Sequence, residues 1–403
     1  MQTTLTPRLS TPVDSDAAAT LVRLDRLEAY LRDDSDNETL LAEAFNAALQ
    51  CAAWSRAEFH LRHGKALHPD SLQWALREAD LWLAQSNFDQ ATIVLRALQA
   101  QPDTPAGFRD AVLHDLAFIE FQQGNYGACT ALLAGRMQAG DADQESAPST
   151  MSREMVVLWL RALHHAGDLE QAVRWTQTLE EQRGLFRQAA GVASLVALDA
   201  AHMALASRWS AMALEQASAS DRPIEALVAQ ASLALASTDA ARALDLSEQA
   251  LLIHPQDGRA LSAHAFAQLL AGQPQAALAF FRRALSFMPN HIGTWHGQGW
   301  TQLTLHDPQA ACTSFEAALA LDRNFAENHG ALAVALALQK QTEQANKHVQ
   351  LALRLDSANL SGRFAQAILE GKTSDAQALE QLARRLLGGE MYEAVMGAVN
   401  RRG

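Results

Sequence analysis

Residues 259–289 read RALSAHAFAQLLAGQPQAALAFFRRALSFMP, and this stretch decides the fold. A first helical segment runs up to Leu270, breaks at Ala271-Gly272-Gln273-Pro274, and gives way to a second segment carrying Ala277, Phe281 and Ala284 before Pro289. Steps of four and seven residues place Ala277, Phe281 and Ala284 on one face of a helix. Small residues on that face let a neighbouring helix approach closely. Pro289 then stops the helix, because proline lacks the N–H and its ring clashes with the preceding turn.

The same set returns one period later as Ala311, Phe315, Ala318 and Arg323, and after an equal step as Ala345, Val349, Ala352 and Ser357. One step back it stands as Ala243, Ser247, Ala250 and Pro255. Further upstream the leading residue of the set is followed as Ala206, Ala172, Cys129, Ala91 and Ala57, at steps that become irregular and are longest between Cys129 and Ala172. That long step contains AGDADQESAPSTMS, residues 139–152, a polar stretch without helical periodicity that reads as an enlarged loop. A smaller insertion is expected near residues 99–104.

In the next first segment Trp295, Gln298 and Gly299 take the W-x-x-L-G spacing. With a period of about 34 residues, the A-x-x-x-F pair and the terminal Pro, the chain resembles the tetratricopeptide repeat family. Gln298 and Gln302 depart from the family's Leu and Tyr. The resemblance implies an all-α, right-handed α-solenoid of about nine to ten tetratricopeptide-like helix hairpins with capping helices. The expected organisation is a flexible N-terminus (1–15), an N-terminal helix or cap (16–36), degenerate hairpins (37–222), the regular array (223–357), and a degenerate repeat with a C-terminal cap (358–403). Terminal elements of a solenoid must cover an otherwise exposed apolar face.

Composition agrees. The 403 residues are 49% hydrophobic but only 6% aromatic, with 11 Pro and 21 Gly, so there are few places to break helices. The formal net charge is −13, and no run of Lys and Arg forms a phosphate-binding surface, which argues against nucleic acid as the partner. Only four of the 32 basic residues are Lys, a skew that fits a GC-rich bacterial source. The first sixteen residues are polar, and no apolar run reaches the roughly 18 residues of a membrane span, so a cytoplasmic chain without membrane insertion is expected. Cys51, Cys129 and Cys312 are far apart and read as buried small residues.

A search for chemistry returns little. His60 and His63, in EFHLRHGKALHP, share a helix face, but no HExxH and no completing carboxylate accompany them, so they read as structural or solvated and no metal is expected. His164 and His165 precede the turn at Gly167, where a cation suits a helix C-terminus. No nucleophile elbow and no phosphate loop is present. A repeat-fused enzyme would need a further catalytic domain, for which the short remainder after Gly388 leaves no room. No catalysis and no cofactor are therefore expected.

Repeats of this kind stack so that their first helices line a concave groove. The face opposite Trp295, Gly299 and Gln302 carries His296, Trp300, Leu303 and Thr304; the preceding repeat offers Ser262, Phe266, Leu269 and Leu270, and the following one Gly330, Val334, Ala337 and Leu338. This apolar strip is expected to take a protein or peptide with spaced apolar anchors. Packing of Phe266 and Trp300 inside the stack, or under the C-terminal cap, is the alternative. If the groove reading holds, Trp300→Ala abolishes partner capture and leaves the fold intact. Some family members hold chaperone tails through a clamp of Lys, Asn and Arg; the matching positions here are Ser262, Phe266, Gly297, Glu327 and Ala331, so that clamp is absent. The expected function is a protein–protein interaction scaffold or adaptor. A chaperone or assembly factor for a bacterial secretion or envelope system is the alternative, and stacking of exposed end repeats into a homo-oligomer is a further expectation.

Overall fold

The computed structural model describes residues 14–102, 104–138 and 152–372, and among them the chain forms twenty α-helices, one short 3-10 turn and no strand. The chain divides into two compact units, Met1–Ala166 and Gly167–Gly403.

The first unit holds α1 (Asp14–Asp33), α2 (Glu38–Gln50), α3 (Trp54–Leu67), α4 (Leu72–Ala84), α5 (Phe88–Gln99), α6 (Ala106–Gln122), α7 (Tyr126–Gln138) and α8 (Arg153–Ala166). The second holds α9 (Leu169–Arg183), α10 (Arg187–Asp199), α11 (Met203–Leu214), α12 (Ile224–Ala236), α13 (Ala240–Ile253), α14 (Gly258–Leu270), α15 (Pro274–Phe287), α16 (Ile292–Thr304), α17 (Pro308–Leu321), α18 (Ala326–Leu338), α19 (Thr342–Leu355) and α20 (Leu360–Leu369). The expected N-terminal helix is α1, which begins before Asp16. Of the expected flexible start (1–15), enlarged loop (139–152) and degenerate repeat with C-terminal cap (358–403), residues 1–13, 139–151 and 373–403 lie outside the described residues, while residues 14 and 15 already belong to α1.

The marker residues Ala57, Ala91, Cys129, Ala172, Ala206, Ala243, Ala277, Ala311 and Ala345 all fall in odd-numbered helices from α3 to α19, and every one is fully buried. A methyl group or thiol at the closest approach of two helices is what holds each second helix down. Larger side chains fill the space beside it: Phe281 meets Phe266 edge-on at 4.9 Å, and Phe315 meets Trp300 at 5.6 Å.

Local chemistry sets the helix ends. Asn37, Asn87, Asp239, Asp257, Asp307 and Asn359 each accept a hydrogen bond from the backbone N–H three residues on, closing the first turn of their helices. Between first and second helix of the regular hairpins stands one residue in the left-handed region: Thr238, Gly272, His306 and Lys340, with φ of 59°, 76°, 60° and 60°. The next N–H reaches back to the carbonyls of Ala234, Gln268, Gln302 and Leu336, satisfying helix-end acceptors in the Schellman manner. Only Gly272 adopts this backbone without steric cost.

Where Leu and Tyr were expected, polar residues are accommodated by a buried chain of hydrogen bonds. Gln298 Nε2 donates to Ser314 Oγ at 3.0 Å, and that hydroxyl donates to Gln302 Oε1 at 2.7 Å, tying α16 to α17. One repeat earlier His264 occupies the matching place and meets Ser247 Oγ at 3.0 Å; two earlier, Gln230 donates to Ser210 Oγ at 2.7 Å. The departures from the family pattern thus come with partners for Gln298 Nε2 and Gln302 Oε1, while Gln298 Oε1 stays buried without one, at a cost of roughly 1–3 kcal/mol.

Candidate partner-binding surface

The strip expected on the first helices of the regular array is for the most part interior. Trp300 is 0% exposed, and His296, Leu303, Val334 and Ser262 are buried with it. Trp300 and Val334 belong to one core cluster with Phe315, Ala331 and Leu336. His296 Nε2 lies 2.5 Å from Asn328 Oδ1, and Ser262 Oγ meets Thr294 Oγ1 at 2.9 Å. These five residues offer no surface to a partner, which corrects the groove reading for them. Phe266, Leu270, Thr304 and Leu338 remain half-buried, and of these Leu270, Thr304 and Leu338 recur at the repeat spacing near the ends of α14, α16 and α18. Thr304 donates to the Thr301 carbonyl at 2.7 Å.

The physical reason is side-chain size. Small residues, alanine in α14 and α18 and glycine in α16, let neighbouring elements close over most of each of these helices. In α18 every residue from 327 to 337 is buried. A Cβ on Gly297 would stand 2.5 Å from the Phe281 ring and 2.8 Å from Phe266, and one on Gly330 would meet Asn359 and the backbone of Gly362. Burial also governs the ionisable groups here. It pushes His296 down to about 4, against the bond to Asn328, and pushes the Glu327 carboxyl up to about 7, against the hydrogen bonds from Ser361 and Asn359.

A different row of apolar side chains is exposed. Ile253, Phe287, Leu321 and Leu355 are the last residues of α13, α15, α17 and α19, they stand one repeat apart, and they are 43%, 47%, 39% and 41% exposed. Leu252 beside Ile253 is 79% exposed. In sequence they are the fourth residue of ALLIHP, ALSFMP, ALALDR and ALRLDS. The period that revealed the repeats also marks this row, but a helix-face argument assigns it to the packed side, and only accessibility separates the two.

The histidines singled out by the sequence have local partners. His60 is buried against Glu28 at 3.0 Å, His63 reaches Asp36 at 3.4 Å, and His165 stacks on Tyr126 at 4.8 Å. Among the described residues no group of three or more His, Cys, Asp or Glu is placed to hold a metal ion. Cys129 and Cys312 are buried, whereas Cys51 is only half-buried and keeps contact with the surface. No described helix is long and apolar enough to cross a membrane.

No family model matches the chain, and no curated protein matches it. Among solved structures it is similar to an IFIT1 monomeric mutant with Gppp-AAAA, at 11% identity over 94% of each chain and a TM-score of 0.52. It is similar as well to the APC/C hetero-tetramer Cut9-Hcn1, at 12% identity over 88% of this chain and 94% of that one with a TM-score of 0.47. A third likeness is to YrrB, described as a TPR protein with an unusual peptide-binding site, at 18% identity over 47% of this chain and 96% of that one with a TM-score of 0.36. Paired helices, buried marker residues at the repeat period and the likeness over 94% of the chain make this a helical-repeat protein of the tetratricopeptide type in fold.

Proposed function

We propose that the chain is an interaction scaffold that holds a partner polypeptide on apolar side chains presented at the repeat spacing. The observation that carries this is the exposed row Ile253, Phe287, Leu321 and Leu355. Water-exposed large apolar residues are ordinary when scattered, but an equally spaced row is a surface that a partner with spaced apolar anchors can cover. The half-buried Phe266, Leu270, Thr304 and Leu338 supply a second, shallower set on the first helices. The fold alone does not choose the partner, since the IFIT1 structure of the same fold contains Gppp-AAAA. Charge favours a polypeptide here: 45 acidic against 32 basic residues repel a phosphate backbone.

The test uses a double variant, Phe287→Asp with Leu321→Asp. Both positions are exposed, so the far-ultraviolet circular dichroism and melting temperature should stay at the wild-type values. Polypeptides recovered with the wild-type chain from its native cell, then purified and re-bound, should lose at least about thirtyfold in affinity for the variant, the size of a single hot spot of about 2 kcal/mol. Unchanged affinity for a folded variant overturns the row as the docking surface. Measuring partner abundance in a deletion strain separates scaffold from chaperone, because a chaperone's client falls when it is absent.

A further inference from the structure

In the first unit α1, α2 and α3 line an open cleft of about 450 Å³, within the range of roughly 300–1,000 Å³ typical of small-molecule sites. Its apolar walls are Leu31 and Leu41, both buried, and Phe59, which is 58% exposed and lies edge-on to His60 at 5.4 Å and His63 at 6.3 Å. Two of the charged groups lining it already satisfy each other. Arg56 donates from Nε to Glu28 Oε1 at 2.8 Å and from Nη2 to Glu28 Oε2 at 2.6 Å, with Asp25 Oδ1 at 2.6 Å completing the fork. Glu28 also receives His60 Nε2 at 3.0 Å. Burial works against the Glu28 charge, but Arg56 and His60 together outweigh it and hold the carboxyl below its ordinary range, so it is ionised and its oxygens are occupied.

Arg32, an exposed residue at the last turn of α1, lines the rim of the same cleft with no ion-pair or hydrogen-bond partner among the described residues. It is the lining charge that the fold leaves unmatched. An apolar interior with one free guanidinium at its edge selects the body and the sign of a ligand together. We propose that this cleft binds a small carboxylic acid with an aliphatic body, its chain against Leu31, Leu41 and Phe59 and its carboxylate on Arg32. The inference is independent of the apolar row in the second unit.

Octanoate, 1-octanol and octylamine serve as matched probes in calorimetric titration of the full chain. Octanoate should bind one per chain and more tightly than the other two. Arg32→Gln should weaken octanoate about tenfold, the worth of a charge-assisted hydrogen bond, and leave 1-octanol unaffected. Ser55→Trp, at an exposed lining position, should block octanoate and 1-octanol alike while circular dichroism stays unchanged. No octanoate binding at millimolar concentration, equal binding of octanoate and octylamine, or full octanoate affinity in either folded variant overturns the proposal.

Discussion

Trp300 illustrates how one side chain changes meaning between sequence and structure. Spacing puts it opposite Trp295, Gly299 and Gln302, a position that reads as groove-facing, yet it is wholly enclosed and its indole N–H is buried without a hydrogen-bond partner. Trp300→Ala should therefore cost stability, about 3–5 kcal/mol, and lower the urea midpoint markedly. Trp300→Phe keeps most of the ring and removes the unpaired donor, so its cost should stay below about 1.5 kcal/mol. An alanine variant that unfolds at the wild-type midpoint would return Trp300 to the surface. Glu327 gives a pH-dependent counterpart. Burial raises its carboxyl from 4.5 to about 7, so between those values the folded chain keeps a proton that the unfolded chain has released. The stability tied to that proton is whole below pH 4.5 and is lost as pH rises through 7. Glu327→Gln removes the loss: relative to wild type it should gain about 3 kcal/mol between pH 4 and pH 8. A stability difference that does not move with pH would refute this.

At the level of elements, the second helices were readable and the first helices were not. The second helices carry a single apolar stripe, so their Ala, Phe and Ala markers identify the buried face directly, as the enclosed Ala277, Phe281 and Ala284 show. In α18 apolar and small residues occur all round, and a 3.6-residue period cannot say which side meets a neighbour and which a groove. The missed row at Ile253, Phe287, Leu321 and Leu355 has the same origin, since exposure at a helix end depends on what the next hairpin leaves uncovered. The links between helices are more legible in their chemistry. Thr238 is β-branched and sits at φ 59°, a conformation that favours glycine, as Gly272 shows in the next repeat. Thr238→Gly should stabilise the chain by about 1 kcal/mol, net of glycine's greater freedom when unfolded, and raise the melting temperature. A lowered melting temperature would mean that the Thr238 side chain makes a contact worth more than its strain.

Across the whole molecule, the repeat period dictates the architecture, because each hairpin must bury its stripe on a neighbour. Accessibility moves the proposed docking surface from the interior of the first helices to the ends of the second. That relocation bears on how strongly and how selectively a partner is held. Four near-equivalent footholds give a ligand with a single anchor four places to land, a statistical gain of about 0.8 kcal/mol as RT ln 4 with no preferred position. A ligand with two anchors at the matching step gains far more through effective concentration, yet it still finds three registers among four footholds. Such a surface reads the spacing of its partner's side chains and is indifferent to where along the partner that spacing occurs, as a comb is indifferent to which strand passes between its teeth.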